Sequence, residues 1–209
     1  MAANKKWEKE QKEEFKGTEL KIVKSFFPQS KDITLKEILK RSHLSYEPVY
    51  RTLQEMTKKN TVFSKKFGRT LVYDLNSKKD ISKIAFMSYS IKKMRKFSDK
   101  HYDIYSAISE IPENMAEIII VFGSYAKGTE RKDSDIDILC VSSEIEKLKS
   151  AVYALKRSHN KEFAAVIIPK DEFAKIKREN KEFWKDLVDY GVIFKGYEPF
   201  YYYAYLEEK

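Results

Sequence analysis

Residues 118–140 read IIIVFGSYAKGTERKDSDIDILC. The apolar run from Ile118 to Phe122 has the length and β-branched content of a buried strand. It leads straight into Gly123-Ser124, then a loop carrying Lys127, Arg131 and Lys132, then Asp135-Ile136-Asp137. Ser134 to Val141 reads as a second strand. Side chains alternate along a strand, so Asp135 and Asp137 point one way and Ile136 and Ile138 the other. Carboxylates at that spacing sit roughly 7 Å apart at the backbone and can converge on paired Mg²⁺ ions about 3.5–4 Å apart. Burying them without a cation would be costly. Gly123 lets an anion approach the backbone, and Ser124 adds a hydroxyl and an N–H at what reads as a helix start. Turn and carboxylates together predict a site for a metal-bound triphosphate. Lys127 and Arg131 stand where they either neutralise phosphate or remain solvated loop charges.

Downstream the chain alternates. Glu144 to Arg157 reads as a helix, Phe163 to Ile168 as a third strand, and Asp171 to Tyr190 as one long helix ended by Gly191. Cys140 is the lone cysteine, inside an apolar stretch, and reads as a core residue. One cysteine excludes an intramolecular disulfide and fits a reducing compartment.

Upstream the pattern is different. Residues 19–27 place Leu20, Val23 and Phe26 at helical spacing, and Pro28 ends the element. Residues 34–42 repeat the pattern behind Thr34, a candidate N-cap. After His43-Leu44, Ser45 is a second candidate cap, Pro48 suits a first helical turn, and Val49, Leu53 and Met56 continue a third helix. The runs TVFSKKF and TLVYDLN then meet at Gly68-Arg69, a hairpin signal.

Of the 209 residues 42% are hydrophobic and 35% charged, with a net charge of +9. The excess is uneven: residues 1–16 carry +1, residues 17–77 carry +6, residues 78–112 carry +4, and residues 113–209 carry −2. A polyanion partner is therefore expected on the N-terminal half. No apolar run approaches the ~18 residues of a membrane span, and the N-terminus lacks the apolar middle of a signal peptide. The expectation is a cytoplasmic protein with no membrane partner.

The order helix, helix, tight turn, helix, hairpin over residues 17–77 resembles a winged helix-turn-helix along its whole length. That resemblance implies that the third helix enters the major groove of double-stranded DNA, offering Ser45, Tyr46, Tyr50 and Arg51. It implies too that the hairpin is the wing, offering Lys65, Lys66 and Arg69. Glu47 and Glu55 make the third helix only weakly basic, which leaves protein contacts as the other use of such a module.

Gly-Ser, ten residues, then Asp-x-Asp is similar to the signature of the polymerase-beta-like nucleotidyltransferases, and GSYAKG followed by SDIDIL looks most like their minimal members. The resemblance extends over about residues 113–200, through PKDEF and YGVIFKG. It implies that Gly123 and Ser124 hold the triphosphate, with Lys127 and Arg131 beside it. Asp135 and Asp137 would hold Mg²⁺ or Mn²⁺. It implies also a third carboxylate on the next strand, near Ala164, where none stands. Glu162, one pleat away on the same face, is the substitute, or else a surface residue at the strand start.

The reading is therefore an α+β chain: a charged tail (1–16), a winged helix-turn-helix (17–77), a helical connector able to support a homodimer (78–112), and a nucleotidyltransferase-like domain with a mixed sheet and helices (113–209). The implied activity is transfer of a nucleoside monophosphate from a nucleoside triphosphate to an acceptor hydroxyl, a protein acceptor included. The catalytic set would be Asp135, Asp137 and Glu162. The rivals are a DNA-binding regulator whose second domain only senses a nucleotide, and an antitoxin-like partner of a toxin.

Overall fold

The computed structural model describes residues 17–159 and 161–206, so the tail read over 1–16 lies outside the described residues. The chain divides into two compact units, Met1–Ala85 and Phe86–Lys209. The division falls inside the segment read as a connector.

In the first unit, α1 (Gly17–Ser25) buries Ile22 and Val23. A two-residue strand, β1 (Ile33–Thr34), precedes α2 (Leu35–Ser42). Thr34 caps α2 as its sequence suggests: its Oγ1 accepts from the Glu37 N–H at 3.3 Å, and Glu37 Oε2 accepts from the Thr34 N–H at 2.9 Å. His43 ends that helix in the left-handed conformation. Ser45 occupies the N-cap position of α3 (Tyr46–Lys58) with an extended backbone, but its side chain makes no cap bond. Val49, Leu53 and Met56 face inward, and α1 packs on α2 and α3. β2 (Val62–Phe67) and β3 (Thr70–Leu75) form the antiparallel hairpin, and β1 joins it in the order β1-β3-β2.

The second unit is built on a four-stranded mixed sheet in the order β6-β5-β4-β7. The helix α4 (Asp80–Lys100) and the shorter α5 (Tyr102–Ser109) precede it. β4 (Ile118–Val121) pairs antiparallel with both β5 (Ile136–Val141) and β7 (Val192–Lys195). β5 runs parallel to β6 (Phe163–Ile168), a geometry that needs the crossover supplied by α7 (Ile145–His159). The period of two splits the strands cleanly. Ile119, Val121, Ile136, Ile138 and Cys140 pack with Phe97, Ile104, Leu148 and Val152 on one face. Ile118, Ile120, Leu139 and Val141 are buried on the other. Burial pushes the Cys140 thiol up to about 12, so it is an inert core group.

Two elements differ from their sequence reading. The long helix read over 171–190 is two helices, α8 (Lys170–Glu179) and α9 (Lys181–Tyr190). Asn180 breaks it, because its side chain accepts from the Phe183 N–H at 3.1 Å, and a short amide that bonds its own backbone favours a cap over a helix interior. The second strand starts at Ile136 rather than Ser134, so Asp135 stands just outside it. After β7, α10 (Tyr197–Tyr201) packs against β4, and Phe200 stacks on Trp184 and Phe86.

Candidate functional site

The chain leaves β4 through Phe122, whose N–H donates to the Asp137 carbonyl at 2.9 Å, and enters the short helix α6 (Gly123–Lys127). Gly123 has φ +68°, and a Cβ placed there would lie 1.9 Å from Asp137 Oδ2. The Asp137 carboxylate therefore occupies the volume that any other residue's side chain would need. Glycine is required twice, for its conformation and for this contact. The Gly-Ser turn and the second aspartate, fourteen positions apart in sequence, form one seat.

Burial, and next to it the charge of Asp135, raise the Asp137 carboxyl above the usual carboxylate range. Asp135 is exposed and Asp137 half-buried, and neither carboxylate has an ion-pair partner among the described residues. Two carboxylates with no counterion among the described residues could serve as donors to a hard divalent cation. A Mg²⁺ ion is commonly held by one or two carboxylates together with other oxygens, so the pair's chemistry fits that ion. Among the described residues no group of three or more Asp, Glu, His or Cys side chains comes together that could hold a metal.

Lys127, Arg131 and Glu162, also expected at this site, have surroundings of their own. Lys127 donates to Asp186 Oδ2 on α9 at 2.6 Å and lies over the Tyr190 ring at 5.4 Å, so it is engaged by that helix. Arg131 is exposed in the loop, its backbone N–H bonded to Ser134 Oγ at 2.8 Å. Ala164 stands directly opposite Asp137 in the parallel register. Glu162 is ion-paired with Lys156, and the field of Asp135 also acts on that lysine.

One group was invisible in the sequence. Glu130, in the loop between α6 and β5, accepts from Lys100 Nζ at 2.6 Å, with His101 Nε2 at 3.6 Å. The His101 ring contacts Phe97 at 4.8 Å and Tyr125 of α6 at 5.3 Å. His101 Nε2 and Glu130 Oε2 are buried without hydrogen-bond partners among the described residues. Burial holds the imidazole below its ordinary value, partly offset by Glu130. These residues are about thirty positions apart, and no local pattern links them.

In the first unit, Tyr46 and Tyr50 stack on the outer face of α3, 5.5 Å between centroids. Ser45 is exposed beside them. Arg51 is tied to Glu47 at 2.8 Å. Lys65 is clamped between Asp32 and Asp74, each at 2.8 Å. Lys66 and Arg69 are exposed and have no acidic partner among the described residues.

Residues 106–201 match the family model of the nucleotidyltransferase domain. Among solved structures, the chain is similar to a Sulfolobus solfataricus protein provisionally named a nucleotidyltransferase. The match has 22% identity over 50% of this chain and 85% of that one, with a TM-score of 0.28. No curated protein matches the chain. No helix among the described residues is long and apolar enough to cross a membrane.

Proposed function

We propose that the second unit binds a nucleoside triphosphate with Mg²⁺ or Mn²⁺ and transfers the nucleoside monophosphate to an acceptor hydroxyl. We propose also that the first unit is a winged helix-turn-helix that binds double-stranded DNA. The observation that carries the first reading is the Asp137 carboxylate, seated in the gap left by Gly123, with Asp135 beside it and no ion-pair partner on either among the described residues. The match of residues 106–201 to the nucleotidyltransferase domain supports it.

In this reading Ser124 and the Gly123 turn bind and orient the triphosphate, and Asp135 and Asp137 hold the divalent ion. The ion, when bound, supplies charge that offsets the negative charge of the phosphates. The acceptor oxygen bonds to the α-phosphorus, the α–β bridging P–O bond breaks, and pyrophosphate leaves with that oxygen. The acceptor's proton passes to the Glu162 carboxylate, which must first part from Lys156. Positioning and electrostatics supply most of the rate.

A specific observation favours a second reading, a nucleotide-sensing regulator. Ala164 sits opposite Asp137 where a third carboxylate would complete the site, and Glu162 is already paired. The first test is calorimetry with ATP and Mg²⁺. Wild type should bind and the double variant Asp135→Asn, Asp137→Asn should not; equal affinities would overturn the site. The second is transfer of labelled nucleotide to acceptors in a cell extract. Glu162→Gln should slow transfer by about 10²-fold if the carboxylate is the base. Binding without any transfer selects the sensor.

The DNA reading is supported by the helix order, by the third strand that joins the hairpin, and by the +6 charge of residues 17–77. The tied states of Arg51 and Lys65 narrow its phosphate-contacting set to Lys66 and Arg69 on the hairpin.

A further inference from the structure

The tip of the β2–β3 hairpin carries a ring that phosphate contacts do not use. Phe67 is 78% exposed, the most exposed large apolar side chain among the described residues. It ends β2, pairs with Thr70, and leads into the two-residue turn Gly68-Arg69. Gly68 has φ +61°, and Arg69 is not among the positive-φ residues, which is the pattern of a type II′ hairpin turn. Such a turn matches the strand twist and presents the tip in one orientation.

Along the chain Phe67 stands between two cations at the hairpin tip, Lys66 and Arg69, that have no acidic partner among the described residues. The next cation inward, Lys65, is neutralised by Asp32 and Asp74. Burying the ring against an apolar protein surface would drag two uncompensated charges with it. A polyanion with apolar interior faces takes all three groups at once. Apolar wedges that enter base steps beside phosphate-bound Arg and Lys are a general device of proteins that kink duplexes.

Resting on the DNA-binding reading above, we infer that Phe67 is a base-stacking wedge. Its ring enters a base step of duplex DNA while Lys66 and Arg69 sit on the flanking phosphates.

The test uses the full chain and a mixed-sequence duplex carrying 2-aminopurine at a central T-A step. Wild type should bind with a rise in 2-aminopurine fluorescence as the step unstacks. Phe67→Ala should abolish that rise and weaken binding by about tenfold. The loss should be equal at every salt concentration, because a ring releases no counterion. The double variant Lys66→Ala, Arg69→Ala should instead flatten the salt dependence and keep the fluorescence rise at saturation. Phe67→Trp should retain affinity and show indole quenching on the duplex. If Phe67→Ala binds as tightly as wild type with the same fluorescence rise, the wedge falls and DNA binding stands. If wild type binds no duplex at all, both readings fall. If the Phe67→Trp indole shifts blue on phosphatidylserine vesicles but ignores the duplex, the hairpin is a membrane probe and the inference is wrong.

Discussion

The two units treat charge in opposite ways. In the first, two of the four cations that sequence places on a nucleic-acid face are paired: Arg51 with Glu47, and Lys65 with both Asp32 and Asp74. Lys66 and Arg69 have no acidic partner among the described residues, and the rings of Tyr46, Tyr50 and Phe67 are exposed. In the second unit many surface lysines are paired, yet Asp135 and Asp137 stand one residue apart with no ion-pair partner among the described residues. Folding tolerates like charges at close range only where something else lowers their energy. Formal charge along the chain therefore differs from the charge that the fold leaves exposed and unpaired.

The largest expected effect tests the seat itself. Gly123→Ala puts a methyl group 1.9 Å from Asp137 Oδ2 and a side chain on a positive φ. It should lower Mg²⁺-dependent ATP affinity by about 100-fold and destabilise the unit by roughly 1–3 kcal/mol. Calorimetry and denaturant unfolding measure the two effects. Unchanged ATP affinity would break the link between the glycine and the aspartate.

A second experiment compares cations within the first unit. Lys65→Ala should change DNA affinity little, because its charge is already cancelled by Asp32 and Asp74. Lys66→Ala with Arg69→Ala should reduce the slope of log affinity against log salt by about 1.8, the value for two phosphate contacts. If Lys65→Ala flattens the slope as much as either of the others does singly, pairing does not silence a surface lysine here.

Smaller effects concern pH. The raised Asp137 carboxyl means that its contribution to stability is present below the ordinary carboxylate value and is lost as pH rises through the raised one. In metal-free protein, Asp137→Asn should therefore raise the melting temperature at neutral pH and lose that advantage in acid. Added Mg²⁺ with ATP should stabilise wild type and leave the variant unmoved. A variant that melts lower than wild type at neutral pH would show that the carboxylate is not a cost.

The smallest effect is at His101. Burial lowers its imidazole, so its contribution is present above the ordinary histidine value and lost as pH falls through the depressed one. His101→Phe keeps ring contact with Phe97 and Tyr125 and should remove part of the acid-side loss in melting temperature, leaving the neutral-pH value near wild type. Parallel melting curves for the two proteins in acid would exclude His101 as the titrating group.

Much of this architecture is legible one residue at a time. The apolar run 118–122 marked a buried strand, alternation over 135–138 put the two aspartates on one face, and Thr34 announced the cap of α2. Asn180 was legible too, as a residue that competes with helix, but the apolar spacing around it masked the break. The Gly-Ser and Asp-x-Asp elements were found because each is a local chemical pattern, and the structure joins them into one seat at Gly123 and Asp137.

Sequence by itself determined which residue types stand where backbone geometry is local: strand alternation, helix caps, a glycine before a helix, two carboxylates one residue apart. Tertiary structure alone decided which charges meet. Lys127 is held by Asp186 fifty-nine positions away, Lys65 by Asp32 and Asp74, Glu162 by Lys156, and Glu130 by Lys100. The physical reason is range. Backbone preference acts between neighbours along the chain, whereas Coulomb attraction and desolvation act through space, between groups whose separation exists only once the sheet and its helices have closed.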